Sequence, residues 1–209
     1  MKRREFLKTI PAVVLLQSKR IITPEISEQR GFADFDLDGN GRWAIRGQTI
    51  VLEKAGVPEG RIRRPAALAI LKSEPLSDFT YTLELRSTAP VDLAVRDVQL
   101  VIDYQSPLQF YYIHLSAKTD AVHNGIFIVN NADRKRLDEP TSRARFVDQN
   151  FHRVRLERNA STGSIAVFID NDPAPALSAV DNTLRSGRVG FGSFDETGEF
   201  RNIQVIGTK

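Results

Sequence analysis

Apolar and polar residues alternate along much of this chain, and this alternation constrains its fold more than any other feature of the sequence. The segments 79–86 (FTYTLELR) and 152–158 (HRVRLER) follow it throughout. A period of two places successive side chains on opposite faces of a strand, so each segment predicts a strand with one face on a core and the other towards water. The segment 164–170 (SIAVFID) is more uniformly apolar and predicts a central strand.

The same prediction extends over the chain from about residue 30 onward. β-Branched and aromatic residues, which favour strands, dominate seven further segments. These segments are 50–53, 67–72, 98–104, 109–115, 125–130, 188–194 and 200–206. No stretch carries apolar residues at helical spacing over three turns, and 174–184 is the candidate for a short helical turn. Strands with no helices to cover them form a sandwich or a barrel, and strands this long favour an all-β, two-sheet antiparallel β-sandwich.

Positive charge is concentrated at the amino terminus. The formal net charge is +3, of which residues 1–20 contribute +5, so the rest of the chain carries −2. A nearly neutral body lacks the cationic face that nucleic acids require, and we expect no nucleic-acid partner. The basic stretch 61–64 (RIRR) is the exception, and it is interpreted as a solvated loop ahead of a proline.

The first residues have the pattern of an export signal. Residues 2–8 read KRREFLK, and a short apolar run follows as far as Leu16. A basic start before a short apolar segment is typical of export signals, and a run this short is not a membrane span. The order of residues resembles the bacterial twin-arginine motif, which implies export of the folded protein by the twin-arginine machinery. The motif residues are Arg3, Arg4, Phe6, Leu7 and Lys8.

This pattern predicts the domain organisation and the location. Residues 1–30 are expected to be an export leader and linker, and residues 31–209 a single β-sandwich domain of a periplasmic or secreted bacterial protein. The alternative is an uncleaved basic amphipathic start on a cytoplasmic protein. The chain contains no cysteine, which excludes disulfides, thiolate zinc sites and cysteine nucleophiles in either compartment.

Five segments follow one another in a recognisable order. They are 43–53 (WAIRGQTIVLE), 78–86, 151–158, 163–170 and a closing pair at 187–194 and 200–203. In this order they resemble the concanavalin A-like jelly roll, in its laminin-G-like bacterial branch. The closing residues 200–203 (FRNI) resemble the 3-keto-disaccharide hydrolase domain family within that superfamily. The resemblance implies a jelly-roll sandwich that recognises carbohydrate, or one that acts on 3-keto or related modified sugars.

Histidines supply the candidate catalytic residues. His114 ends one predicted strand and His123 precedes the next, so a hairpin between them would bring both imidazoles to one rim, with Asp120 in the connecting loop. Such a cluster can hold zinc or another divalent metal, or place a general base on a keto-sugar. We therefore assign His114 and His123 as candidate catalytic residues and Asp120 as a candidate metal ligand. The alternative is two surface histidines flanking a mobile loop, and His152 is interpreted as structural.

A second stretch invites a metal interpretation. Residues 34–41 (DFDLDGNG) are rich in carboxylates, and calcium is bound by oxygen-rich loops. The spacing departs from the twelve-residue calcium-binding loop, because position twelve is Gly47 rather than Glu. The alternative is a turn-rich loop at the start of the domain. No cofactor is otherwise expected.

Carbohydrate binding uses exposed aromatic rings as stacking platforms and polar side chains for the hydroxyl groups. Trp43 is the only tryptophan, and because neighbours on a strand alternate, one of Tyr111 and Tyr112 is expected to face outward. A core position beneath the opening hairpin is the alternative for Trp43. The candidate ligand-binding residues are Trp43, Tyr111, Tyr112, Asn124, Arg134 and Arg155.

Three functions are compatible with these observations. The first is an exported carbohydrate-recognising β-sandwich domain without evident catalysis. The second is a glycoside hydrolase or lyase that acts on 3-keto or related modified sugars through His114 and His123. The third is a structural domain that binds another protein.

Overall fold

The computed structural model describes residues 18–208, and within that range the regular elements are all strands. The candidate export motif lies outside the described residues. Its members are Arg3, Arg4, Phe6, Leu7 and Lys8. Residues 18–208 contain no helix long and apolar enough to cross a membrane.

Fifteen strands follow one another along the described chain. In chain order they are β1 (Arg20–Ile22), β2 (Phe35–Gly39), β3 (Arg42–Arg46), β4 (Thr49–Lys54), β5 (Ala67–Leu71), β6 (Asp78–Ser87), β7 (Asp97–Ser106), β8 (Gln109–Ser116), β9 (Gly125–Asn130), β10 (Lys135–Arg136), β11 (His152–Asn159), β12 (Ser164–Ile169), β13 (Leu177–Val180), β14 (Arg188–Ser193) and β15 (Gly198–Thr208).

The strands form two antiparallel sheets. Sheet A has eight strands in the order β13-β12-β11-β6-β15-β4-β3, with β1 paired beside one end of β15. Sheet B has seven strands in the order β10-β9-β8-β7-β14-β5-β2. The prediction of an all-β, two-sheet antiparallel β-sandwich is confirmed.

The alternation in the sequence places the core between the two sheets. Along β6, the side chains of Phe79, Tyr81, Leu83 and Leu85 are buried, whereas the residues between them are only half-buried. The buried side chains pack against the inward side chains of sheet B, and burial of each contributes about 1.5–3 kcal/mol. The Tyr81 hydroxyl also donates a hydrogen bond of 3.1 Å to the carbonyl of Gly190 in sheet B.

Sheet B is buried on its outer face as well. An apolar cluster there comprises Leu68, Ile70, Val101, Tyr104, Phe110, Tyr112, Phe127, Val129 and Phe194. The loop of residues 55–66 crosses this face, with Ile62 packed on the cluster. The loop is tied to the segment after β9, because the Arg63 amide donates to the Asp133 carboxylate over 2.8 Å. This double burial explains why the segments of sheet B are nearly continuous apolar runs rather than alternating ones.

Two details differ from the sequence-based expectation. The helical turn expected at 174–184 is wrong, because Leu177–Val180 is a strand at the edge of sheet A. There Leu177 and Ala179 are buried while Ser178 and Val180 are exposed, which is strand periodicity. Within the stretch assigned to the linker, Arg20–Ile22 pairs with the end of β15 and widens sheet A.

A buried ion pair joins the two sheets at one end. The Arg158 guanidinium on β11 donates to the Asp103 carboxylate on β7 over 2.9 Å, and neither side chain is exposed. The same guanidinium donates to the carbonyl of Leu184 over 2.6 Å. Burial raises the pKa of Asp103 to about 6, although the charge of Arg158 acts to lower it. Asp103 adopts a left-handed conformation with φ of 49° at the irregularity in β7 that aims its carboxylate at Arg158.

We expect Arg158→Met to lower the free energy of unfolding by about 3–5 kcal/mol, because it leaves the Asp103 carboxylate buried and unpaired. Urea unfolding followed by Trp43 fluorescence measures this. Arg155→Met on the same strand is the matched control, since Arg155 is half-buried and pairs with Glu157 at the surface; its effect should stay within about 1 kcal/mol.

The double variant Arg158→Met with Asp103→Leu removes both charges, and we expect it to recover much of the lost stability. Equal effects of Arg158→Met and Arg155→Met, or no recovery in the double variant, would show that the pair does not join the sheets in this way.

Candidate functional site

The structure brings the two predicted catalytic histidines together on the outer side of sheet B. His114 lies near the end of β8, and His123 lies in the loop that leads to β9. Their ring centroids are 5.4 Å apart, with the rings edge to face. The hairpin β8–β9 produces this proximity, because His114 pairs directly with Gly125 across the two strands.

A buried carboxylate orients His114. The Nε2 atom of His114 lies 2.8 Å from Oδ2 of Asp97, and the two side chains are 2% and 1% exposed. Asp97 is itself fixed, because Oδ1 accepts a hydrogen bond of 2.8 Å from the Ser193 hydroxyl. A carboxylate only accepts, so Nε2 carries a proton, and in the neutral imidazole the opposite nitrogen, Nδ1, is an acceptor. That Nδ1 atom is buried and has no hydrogen-bond partner.

Gln99 is the second polar side chain on this face. It lies on β7 between Gly192 on one side and His114 on the other, and it is completely buried. Neither its amide nitrogen nor its amide oxygen has a partner. Of the six buried side-chain nitrogen or oxygen atoms in residues 18–208 that lack a partner, three belong to Gln99 and His114. Each such atom costs about 1–3 kcal/mol, and atoms of this kind concentrate at functional sites.

Sequence reasoning missed Asp97 and Gln99. Both interrupt the apolar run of β7 with polar side chains, and Gln99 lies on the same face as His114. A polar residue within a strand buried on both sides was the available signal, but the strand order that makes β7 the neighbour of β8 was needed to interpret it.

Two further carboxyl groups follow β14 at the same end. Burial raises the pKa of Glu196 to about 7, and the charges of Asp97 and Asp195 raise it further. Burial and the charge of Asp97 also raise the pKa of Asp195, against the opposing effect of His114 and Arg63. A carboxyl group that holds its proton near neutral pH can donate a hydrogen bond to a bound hydroxyl group.

Arginine side chains lie over the aromatic rings of this face. The Arg134 guanidinium carbon is 4.4 Å from the centroid of the Phe194 ring, and that of Arg63 is 5.5 Å from it. Phe194 in turn stacks on the His114 ring, with centroids 6.2 Å apart and planes 9° from parallel. The Arg134 guanidinium also donates to the Tyr112 hydroxyl over 3.2 Å. We call this group of Arg63, Arg134 and Phe194 the arginine cover.

Arg136 has a different, structural role. Its guanidinium donates to the carbonyl groups of Asp120, His123 and Asn124 over 2.6, 3.1 and 2.9 Å. It also pairs with the Asp138 carboxylate at 3.0 Å. The group therefore organises the loop that carries His123.

Asp120 holds the same loop from within. Its carboxylate accepts hydrogen bonds from the amides of Val122 and His123, at 2.9 and 3.0 Å, and from Nδ1 of His123 at 2.8 Å. Partial burial acts to raise the pKa of Asp120, but these bonds and Lys118 outweigh it and lower the pKa. No group of three or more His, Asp or Glu side chains among the described residues has a geometry that would hold a metal ion. The role of Asp120 as a metal ligand stays a prediction.

The carboxylates of the stretch 34–41 are also engaged by basic side chains. Asp34 accepts from Arg30 over 2.9 Å, Asp36 pairs with Arg188, and Asp38 pairs with Arg64 over 3.2 Å. The arrangement fixes β2 and its loop to the rest of sheet B.

Of the predicted aromatic platforms, the two tyrosines are buried and Trp43 is half-buried. Tyr111 points between the sheets, where its hydroxyl contacts Asp181, and it offers no face to a ligand. Tyr112 points to the outer face, as the alternation predicted, but it is buried there beneath Arg134. Trp43 is half-buried and packs edge-on against Phe191 at the margin of the core, with ring centroids 6.1 Å apart.

The two remaining candidate ligand-binding residues lie in different parts of the structure. Asn124 adopts a left-handed conformation with φ of 49°, and its amide donates to the hydroxyls of Thr119 and Ser142 over 2.9 and 3.1 Å. It therefore shapes the loop beside His123. Arg155 lies on sheet A, where it pairs with Glu157 and stacks 3.7 Å from the Phe168 centroid. It is not part of the site on sheet B.

Comparisons with known proteins concern the fold. The chain is similar to the carbohydrate-binding module CBM66 from Bacillus subtilis, with a TM-score of 0.64 and 16% identity over 82% of this chain and 94% of the module. It is similar to the lectin I of Ulex europaeus, solved with the methyl glycoside of α-L-fucose, with a TM-score of 0.59 and 14% identity over 92% and 98%. A Bacillus subtilis protein of unknown function with a galectin-like fold gives a TM-score of 0.57 and 12% identity over 85% and 92%.

These likenesses agree with the lectin-like jelly roll that the sequence resembled. No family model and no curated protein matches the sequence.

We expect Gln99→Met to raise the free energy of unfolding by about 1–2 kcal/mol, because it removes two buried polar atoms that have no partner. Urea unfolding measures the change. Gln105→Met is the matched control on the same strand, since the amide of Gln105 is exposed and donates to Ser186 over 2.9 Å, and we expect no gain there. A loss of stability in Gln99→Met equal to or larger than that of the control would contradict an unpartnered amide at position 99.

Proposed function

We propose that this chain is a carbohydrate-binding domain whose ligand lies on the outer face of sheet B, beside Gln99 and His114. The observation that carries the proposal is the set of three unpartnered polar atoms on these two neighbouring side chains. The described residues supply these buried atoms with no partner, and a ligand that displaced the side chains covering them would complete their hydrogen bonds.

The chemistry of the face suits sugar hydroxyl groups, each of which donates one hydrogen bond and accepts others. The amide of Gln99 can do both, and Nδ1 of His114 can accept. Glu196, with a pKa of about 7, can donate. The fold likeness to a carbohydrate-binding module and to a lectin supports the same class of ligand.

A groove on sheet A is a weaker candidate for the site. One groove there is lined by Asp78, Glu157 and Arg158. Arg158 is committed to Asp103 and Glu157 to Arg155, while Asp78 accepts from the Ala160 amide over 2.7 Å. Side chains that already satisfy one another gain little from a ligand.

Binding to a panel of immobilised glycans tests the proposal. We expect the wild-type protein to bind at least one glycan, and Gln99→Met and His114→Phe to weaken that binding about tenfold or more, since each removes a hydrogen bond to the ligand. Arg155→Gln, on the other sheet, should bind like the wild type. Binding that all three variants retain would place the ligand elsewhere, and failure to bind any glycan would favour a protein-interaction domain instead.

A second candidate function is catalysis on a modified sugar. The pair of Asp97 and His114 favours it, because an imidazole held by a buried carboxylate can act as a general base. Glu196 nearby could return the proton, since its pKa of about 7 keeps it partly protonated. The substrate class would be the 3-keto or related modified sugars that a hydrolase or lyase cleaves.

The binding experiment separates the two functions. Mass spectrometry of a glycan after incubation with the protein detects cleavage, which His114→Phe should abolish if His114 is the base. An unchanged glycan that is nonetheless bound leaves the protein as a binding domain.

We infer further that the chain is exported by the twin-arginine machinery to the periplasm or beyond. The order of Arg3, Arg4, Phe6, Leu7 and Lys8 supports this. Residues 1–30 fused to a fluorescent reporter should carry it to the periplasm of a bacterial host. Changing both Arg3 and Arg4 to Lys should hold it in the cytoplasm. Cytoplasmic retention of the unchanged fusion would contradict export.

A further inference from the structure

Two guanidinium groups on the outer face of sheet B lack a carboxylate partner. Arg63 and Arg134 form no ion pair with any described residue, although both guanidinium carbons lie within 5.5 Å of the Phe194 centroid. Their guanidinium carbons are therefore at most 9.9 Å apart. The hydrogen bond that Arg134 donates goes to the neutral hydroxyl of Tyr112.

Three neighbouring arginines of the same sheet are paired with carboxylates. Arg64 pairs with Asp38, Arg136 with Asp138, and Arg188 with Asp36. Arg63 and Arg134 differ from these three in having no carboxylate partner among the described residues, although they lie against the same aromatic face. This contrast indicates that the two guanidinium groups are available to bind a ligand.

The acidic groups nearby do not neutralise the pair. Burial raises the pKa of Asp195, and although the charge of Arg63 opposes this rise, Asp195 forms no ion pair with Arg63. Asp133, next to Arg134 in the chain, uses one carboxylate oxygen to accept the Arg63 backbone amide. Two like charges held over one ring repel each other, and an anion between them removes that repulsion.

We propose that the carbohydrate bound by this face is anionic, and that Arg63 and Arg134 hold its acid group. This inference rests on the proposed function and names its ligand class. A planar guanidinium presents paired N–H donors that match a carboxylate or a sulfate ester. The contacts with the Phe194 ring hold both guanidinium groups at this face.

The site then has two parts. Gln99 and His114 receive the hydroxyl groups of the sugar, and the arginine cover receives its acid group. Because both parts meet at Phe194, whose ring contacts His114 as well as the two arginines, one acidic sugar residue or two adjacent ones span them.

Two pairs of polymers test the ligand class and separate its two possible acid groups. Polygalacturonate against neutral galactan probes carboxylates, and dextran sulfate against dextran probes sulfate esters. Affinity electrophoresis of the purified protein measures retardation by each polymer. We expect at least one acidic polymer to bind about tenfold more tightly than its neutral partner, and the binding to weaken as salt rises.

Variants tie that binding to the two side chains. Arg63→Gln and Arg134→Gln should each weaken binding to the acidic polymer about tenfold, because each loses a charge-assisted hydrogen bond. Arg155→Gln on sheet A removes the same charge and should leave binding within about twofold, which controls for net charge. Unchanged circular dichroism and melting temperature establish that each variant is folded.

Three outcomes overturn the inference. In the first, the neutral polymer of each pair binds as tightly as the acidic one. In the second, Arg63→Gln and Arg134→Gln bind like the wild type while Gln99→Met does not, which refutes the anionic ligand and leaves the proposed carbohydrate function standing. In the third, neither these four polymers nor the glycan panel binds, which overturns both.

Discussion

The contact between the two sheets is the interaction on which the rest of this structure depends. Inward side chains from β6 and β11 of sheet A meet those of β7 and β8 of sheet B, and they form one continuous apolar layer. Sheets packed in this way keep their strands in a fixed register, because a slip by one residue would turn every buried side chain outward. That register sets His114 beside Gln99 and brings the loop of His123 over the same face. The packing of the core therefore positions the site, although no polar atom of the site lies between the two sheets.

The outer face of sheet B combines two requirements that conflict. Its aromatic and aliphatic side chains are covered by the loop 55–66 and by the segment after β9, which stabilises the face. Within that cover, Gln99 and His114 keep polar atoms that nothing satisfies. A protein selected for stability alone would place apolar residues there, so the persistence of the amide and the imidazole points to function. Other arginines of this sheet are paired with carboxylates, so the unpaired Arg63 and Arg134 point to function in the same way.

Local patterns predicted the fold well, and the site only in part. Alternation in 79–86 and 152–158 identified two adjacent strands of sheet A, because period two is a property of a half-buried strand. The positions of His114 and His123 around a turn were enough to place them together. Alternation correctly predicts that one of Tyr111 and Tyr112 faces outward, but it cannot reveal that the outer face of sheet B is itself covered, so it does not predict the burial of Tyr112.

The strand order determines the remainder of the site. Asp97 and Gln99 come near His114 only because β7 pairs with β8, and Ser193 and Phe194 join them only because β14 lies on the other side of β7. The arginine cover requires, in addition, that loop 55–66 fold back across the sheet. The charged residues around Arg63 in the sequence predict a solvated loop. In the structure, however, its guanidinium lies over the Phe194 ring. Contacts between residues far apart in the chain leave no local sequence pattern, so they cannot be predicted from a single sequence.

The hydrogen bonds of Arg136 connect two regions of the face that are separate in the chain. This side chain comes from β10, yet it holds the carbonyl groups of the loop that carries His123, and its guanidinium rests over Gly125, where any Cβ would lie within 2.5 Å of it. The histidine loop and the segment bearing Arg134 are thus mechanically coupled through a single residue. A change in the length or composition of one segment is transmitted to the other, so in descendants of this chain the two would have to diversify together.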